Sequence, residues 1–107
     1  QDRTDDAIES YKEALELQED NFYALNNLGL LYIRNGQPKD AKKVLGKAVK
    51  QDEAQAYAFN NLGIVHEQLG ELENAKKMYK KALEIDEDYE KAKTNLERIG
   101  RLTGESD

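Results

Sequence analysis

The sequence predicts an all-α fold, an α-solenoid of about six helices stacked as antiparallel pairs, and three observations carry that reading. Tyr23-Ala24-Leu25-Asn26-Asn27-Leu28-Gly29 returns with one substitution as Tyr57-Ala58-Phe59-Asn60-Asn61-Leu62-Gly63, shifted by 34 residues. Gly36 and Gly70, Ala41 and Ala75, and Ala48 and Ala82 keep the same separation. Inside each copy the apolar residues recur at i, i+3, i+4 and i+7, the spacing of one helix face. A fixed period of this length describes stacked helix pairs, each burying its neighbour, rather than one central core.

Each element can be justified in turn. Residues 4–18 carry Ala7, Ile8, Tyr11, Ala14 and Leu15 on one stripe, with Thr4 as the expected N-cap and Asp5 and Asp6 in the first turn. Glu19-Asp20-Asn21 ends that helix. Residues 22–35 form the next through Leu25, Leu28, Gly29 and Tyr32, closed by Gly36. Pro38 suits the first position of a helix over 38–51, which turns Ala41, Val44, Leu45, Ala48 and Val49 inward. Residues 55–69 repeat 22–35 with Phe59, Leu62, Gly63 and His66, and Gly70 closes them. Residues 72–85 repeat 38–51 through Leu72, Ala75, Met78, Tyr79, Ala82 and Leu83. A sixth helix runs over 89–102, followed by a polar tail from Thr103 to Asp107.

Mid-helix glycine costs roughly 1 kcal/mol against alanine. Gly29 and Gly63 therefore call for a close approach, expected to be that of another backbone, with Ala41 and Ala75 as the matching flat surface. The acidic groups Glu19-Asp20, Asp52-Glu53 and Asp86-Glu87-Asp88 fall just before helix starts, where negative charge is favourable.

These residues carry a family resemblance. Leu25-x2-Leu28-Gly29-x2-Tyr32 with Ala41-x3-Leu45, and Phe59-x2-Leu62-Gly63-x2-His66 with Ala75-x3-Tyr79, resemble two tetratricopeptide repeats (TPRs). Ala7-x3-Tyr11 resembles the second half of another copy. Glu19, Glu53 and Glu87 stand where the family pattern ends a unit with proline, and His66 stands where tyrosine is usual. The resemblance implies a right-handed superhelix in one domain over 1–107. It divides the chain into 1–21, the second helix of an incomplete repeat, repeats at 22–55 and 56–88, and a capping helix with its tail at 89–107. Lys93, Glu97 and Gly100 replace the residues that would face a further helix, as a solvating cap requires.

The chemistry available is narrow. There is no cysteine and one histidine among 107 residues, which leaves no thiol nucleophile and no multi-histidine metal site. His66 sits in an aromatic packing slot, and no glycine forms a phosphate-cradling loop. No catalytic residue, metal or cofactor is expected. The net charge of −6 disfavours nucleic acid. No long apolar run or leader-like N-terminus is visible, so the expectation is a soluble, cytoplasmic chain without membrane insertion.

What remains is a surface. Opposite the core of 22–35 lie Tyr23, Asn27, Leu30 and Arg34, flanked by Asn26 and Ile33. On 55–69 the same stripe is Tyr57, Asn61, Ile64 and Gln68, flanked by Asn60 and Glu67. On the last helix it is Lys91, Asn95 and Arg98, beside Thr94 and Arg101. Tyrosine, aliphatic and amide side chains repeated in register on a non-core face have the composition of a binding surface. The resemblance places them in one concave groove that holds a peptide or protein segment. Asn27, Asn61 and Asn95 would pair with an extended peptide backbone, or serve packing between repeats. Some relatives clamp a terminal carboxylate through five such positions. Here Asn61 and Lys91 match that clamp, whereas Asn26, Leu30 and Asn95 do not.

The cations Arg34, Lys91, Arg98 and Arg101 outnumber Glu67 on this face, which predicts an acidic partner segment with apolar anchors. The alternative is a self-assembling scaffold, part of a longer array. Ile8, Tyr11 and Leu15 keep an apolar stripe that no preceding helix covers, so weak self-association through the N-terminal helix is the matching expectation.

Overall fold

The computed structural model describes residues 3–104. Six helices follow one another: α1 (Arg3–Leu17), α2 (Phe22–Arg34), α3 (Pro38–Ala48), α4 (Ala56–Gln68), α5 (Leu72–Ile85) and α6 (Glu90–Thr103). No strand occurs among the described residues. Close contacts gather the chain into two compact units, one up to Ala54 and one from Gln55 onward. No helix among the described residues is long and apolar enough to cross a membrane.

In the first unit α2 packs against both α1 and α3. Asn21, read from the sequence as part of a helix end, caps the start of α2 by accepting the Ala24 amide at 3.1 Å. The other end closes through Gly36 at φ 73, where the Gly36 amide donates to Ile33 O at 3.2 Å and the Gln37 amide to Tyr32 O at 2.8 Å. That crossed pair of bonds satisfies carbonyls the last turn would otherwise leave open, and it needs the left-handed backbone that glycine supplies. Pro38 then starts α3 as expected. Phe22, Leu25, Leu28, Ala41, Leu45 and Ala48 are the buried centre of this unit.

The second unit repeats the plan. Gly70 at φ 78 closes α4 with the same crossed bonds, from Gly70 to Glu67 O and from Glu71 to His66 O. α5 packs against α4 and α6. Tyr79, Ala75 and Ile99 form one buried cluster with Ile64, Leu72 and Leu96 against it. Ala56, Ala82 and Ala92 form another with Phe59, Leu83 and Tyr89. His66 is buried, as its slot predicted, and its Nδ1 lies 2.7 Å from Glu71 Oε1, tying the end of α4 to the residue before α5.

Five expectations change. Thr4 lies inside α1, which already begins at Arg3, so it is not the cap. α3 stops at Ala48 rather than residue 51, because Lys50 and Gln51 donate to Lys47 O and Ala48 O and tighten the chain into a turn. At the other end α6 includes Thr103 and ends on Gly104 at φ 78, so the tail begins one residue later. The remainder of that tail, 105–107, and residues 1–2 lie outside the described residues. Gly100 is buried rather than solvating, and the Thr103 hydroxyl folds back over its carbonyl at 3.3 Å. Ile8 is likewise buried, because α1 lies on α2, while Tyr11 and Leu15 remain half-exposed.

The glycine expectation also changes in kind. A side chain on Gly29 would meet three Leu45 side-chain carbons within 3.0 Å, and one on Gly63 would meet Tyr79 Cε1 at 2.5 Å. What approaches each glycine is therefore a large side chain of the following helix, not another backbone. Removing the β-carbon opens a socket for that knob.

Candidate binding surface

In the second unit α4 and α6 face each other through polar side chains. Asn95 Nδ2 donates to Asn60 Oδ1 at 3.0 Å. One turn further, the Arg98 guanidinium forks the Glu67 carboxylate, Nη2 donating to Oε1 at 2.8 Å and Nη1 to Oε2. Arg98 Nη2 also donates to Asn95 Oδ1 at 3.1 Å, and the Tyr79 hydroxyl donates to Glu67 Oε1 at 2.6 Å. Tyr79 is fully buried, so its hydroxyl reaches Glu67 from a fixed position. The Arg98 hydrogen bonds hold the Glu67 carboxyl below its usual range against the opposing effect of burial, and the Tyr79 bond helps. Burial and Glu67 push the Tyr79 hydroxyl well above its ordinary value.

Beside the Asn60–Asn95 bond lies a cavity of about 360 Å³ lined by Asn60 and Ile64 from α4 and by Glu90, Lys91, Thr94 and Asn95 from α6. In the first unit a smaller cavity of about 210 Å³ is lined by Ala7 and Tyr11 from α1 and by Asn27, Leu30, Leu31 and Arg34 from α2.

The expected surface residues divide by burial. Tyr23, Asn27, Arg34, Gln68 and Lys91 are exposed, and the Tyr23 ring stands edge-on to Phe22 with centroids 5.2 Å apart. Leu30, Tyr57, Ile64, Asn95 and Arg98 are half-buried, Ile64 because it also packs on the Tyr79 cluster. Asn26, Asn60 and Asn61 are buried. Asn60 and Asn95 pair with each other, so a residue flanking the α4 stripe meets the stripe of α6. Asn95 donates to Asn60 and accepts from Arg98, so both ends of its amide are engaged.

Sequence reasoning missed the hydroxyl of Tyr79 and treated the residue as a space-filler. A signal was present. Leu45 and Ile33 of the first copy become Tyr79 and Glu67 in the second, two apolar slots turning polar together.

This arrangement defines a helix-pair repeat protein whose first helices carry a polar and aliphatic outer face. Tetratricopeptide-repeat models match residues 56–89 and 22–54, and a TPR-repeat model matches 1–36. The chain belongs to the tetratricopeptide repeat family. A search of the curated proteins found no match. Among solved structures it is similar to MamA, at 30% identity and a TM-score of 0.90, covering 95% of this chain and 60% of that one. The chain thus spans about three-fifths of that MamA chain. It is similar to the Sgt2 TPR domain from Aspergillus fumigatus, at 25% identity and a TM-score of 0.88, covering 94% of this chain and 68% of that one. It is also similar to the second TPR domain of human RPAP3, solved in complex with the HSP70 peptide SGPTIEEVD. That match has 25% identity and a TM-score of 0.85, covering 91% of this chain and 81% of that one.

Proposed function

We propose that the chain is a non-enzymatic interaction module that binds a protein segment, acidic with apolar anchors, in the trough between α4 and α6. The single observation that carries this is the composition of that cavity: Ile64 as an apolar floor, the Asn95 amide beside it, and the exposed cation Lys91 on its rim, where the neighbouring Glu90 carboxylate is paired with Lys93 at 3.6 Å. An apolar anchor meets Ile64, a backbone group meets Asn95, and a carboxylate meets Lys91. On α2 the exposed Tyr23, Asn27 and Arg34 with Leu30 present the same chemistry a second time. The RPAP3 relative supports the acidic preference, since its peptide carries consecutive glutamates. Family membership supports the non-enzymatic part, as does the burial of His66, the one histidine.

Fluorescence anisotropy with an acidic peptide containing leucine anchors tests the reading. Lys91→Glu is expected to weaken binding at least about tenfold, and affinity is expected to fall as salt rises. A free and an amidated C-terminus should bind alike, because only Asn61 and Lys91 fit a carboxylate clamp. A preference for basic peptides, or indifference to Lys91→Glu, overturns the trough assignment.

The second reading, a self-assembling scaffold, has one observation in its favour: Tyr11 and Leu15 on α1 stay half-exposed, and Leu17 is 91% exposed. Against it, Asp5, Asp6, Glu9, Glu13 and Glu16 outnumber Arg3 and Lys12 on that helix, so two copies meeting there would repel. Sedimentation of the wild type beside Tyr11→Glu decides it. Self-association that grows with salt and vanishes in the variant supports the scaffold.

A further inference from the structure

Two rows of side chains face each other along the α4–α6 trough: Asn60, Ile64 and Glu67 on α4, and Lys91, Asn95 and Arg98 on α6. The Arg98 fork is the strongest carboxylate receptor among these groups, since two parallel N–H donors match a carboxylate's two oxygens. In this structure that fork is filled from within by Glu67. The fork itself is reachable, because the Arg98 side chain is 41% exposed and lies one turn from the cavity wall at Asn95, while its occupant Glu67 is only 17% exposed.

The fold does not require this cluster. At the positions of the first copy equivalent to Glu67 and Tyr79 stand Ile33 and Leu45, and Ile64 is the α4 equivalent of Arg98. Within the first unit α2 and α3 pack with no carboxylate at those two positions. The polar cluster is therefore an addition to the repeat, and it sits at the end of the trough.

We propose that Glu67 is a resident competitor for Arg98, so that an acidic segment engages Arg98 only by displacing the Glu67 carboxylate. This rests on the trough reading above and names what sets its specificity. Replacing one carboxylate by another conserves the charge and hydrogen bonds of Arg98 while the displaced Glu67 keeps its bond from the Tyr79 hydroxyl, whereas a neutral segment has no carboxylate to exchange. The Tyr79 hydroxyl keeps Glu67 aimed at Arg98 and so tightens the lock.

The test is anisotropy with one acidic peptide and its Glu-to-Gln counterpart, with circular dichroism confirming that each variant is folded. Glu67→Gln is expected to tighten the acidic peptide by about tenfold, the order expected when a charge-assisted fork becomes free, and to leave the neutral peptide unchanged. Tyr79→Phe, which keeps the net charge, should tighten it by a smaller factor. Arg98→Gln should weaken it and abolish the gain from Glu67→Gln. A gain from Glu67→Gln that persists in the Arg98→Gln background would mean a general charge effect and overturns the proposal. So does unchanged or weaker binding in both folded Glu67→Gln and Tyr79→Phe. If neither the wild type nor Glu67→Gln binds the acidic peptide, the trough reading falls too. If the wild type binds through Lys91 and Glu67→Gln gains nothing, the lock alone falls.

Discussion

The ring of Tyr79 occupies the space where a side chain on Gly63 would stand, with Cε1 2.5 Å from the position of the missing β-carbon. Tyr79 cannot swing aside, because it is fully buried and its hydroxyl is tied to Glu67. Gly63→Ala would improve helix propensity by roughly 1 kcal/mol, yet overpacking a rigid neighbour costs about 1–3 kcal/mol. Gly63→Ala is therefore expected to lower the melting temperature, and Gly63→Val to lower it further. Pairing Gly63→Ala with Tyr79→Leu should restore part of the loss, since leucine can change rotamer. Thermal melts of the three variants check this; a Gly63→Ala melt at or above wild type contradicts it.

Gly70 is a different case. Nothing lies within 4 Å of a β-carbon placed there, but its φ is 78. Gly70→Ala is expected to cost about 1–2 kcal/mol through the left-handed backbone alone. Because no contact is involved, Gly70→Asn should recover much of it. Urea denaturation midpoints of the two variants give the comparison, and equal losses would count against a purely conformational cause.

Glu67 should shape the acid side of the stability curve. Its folded-state pKa is lowered, first by the Arg98 hydrogen bonds, from an ordinary value of 4.5. A depressed carboxyl contributes stability that is fully present above the unfolded value and is lost as pH falls through the folded one. Stability of the wild type should therefore decline below pH 4.5, and Glu67→Gln should show a shallower acid limb. Melting temperatures across that range decide it. Parallel acid limbs would show that the pair contributes nothing to folding.

Tyr79 should shape the alkaline side. Burial and the Glu67 carboxylate raise its pKa above the ordinary 10.0. The sign is the opposite one: stability is full below the unfolded value and is lost as pH rises from there through the folded one. Tyr79→Phe should then be less sensitive than the wild type to pH above 10.0, while losing the hydroxyl bond at neutral pH. Denaturation at neutral and alkaline pH, compared between the two proteins, is the measurement.

The sequence alone determined that the chain repeats, where its helices lie to within a few residues and which apolar residues are buried. Leu28, Ala41, Leu45, Leu62, Ala75, Tyr79, Ala92 and Ile99 are all buried where helical spacing and the 34-residue period put them. Such slots are legible because apolar burial is non-directional: a residue of suitable size at the right point of the period is enough. The tertiary structure decided how the polar residues are spent. It buried Asn26 and Asn60, which a helical wheel turns outward, and it joined Asn60 to Asn95 and Glu67 to both Tyr79 and Arg98. It also set side chains, not backbone, over Gly29 and Gly63. Hydrogen bonds depend on angle and on tenths of an ångström between side chains of different helices. A one-dimensional period carries no information at that scale, so only the packed helices could assign those partners.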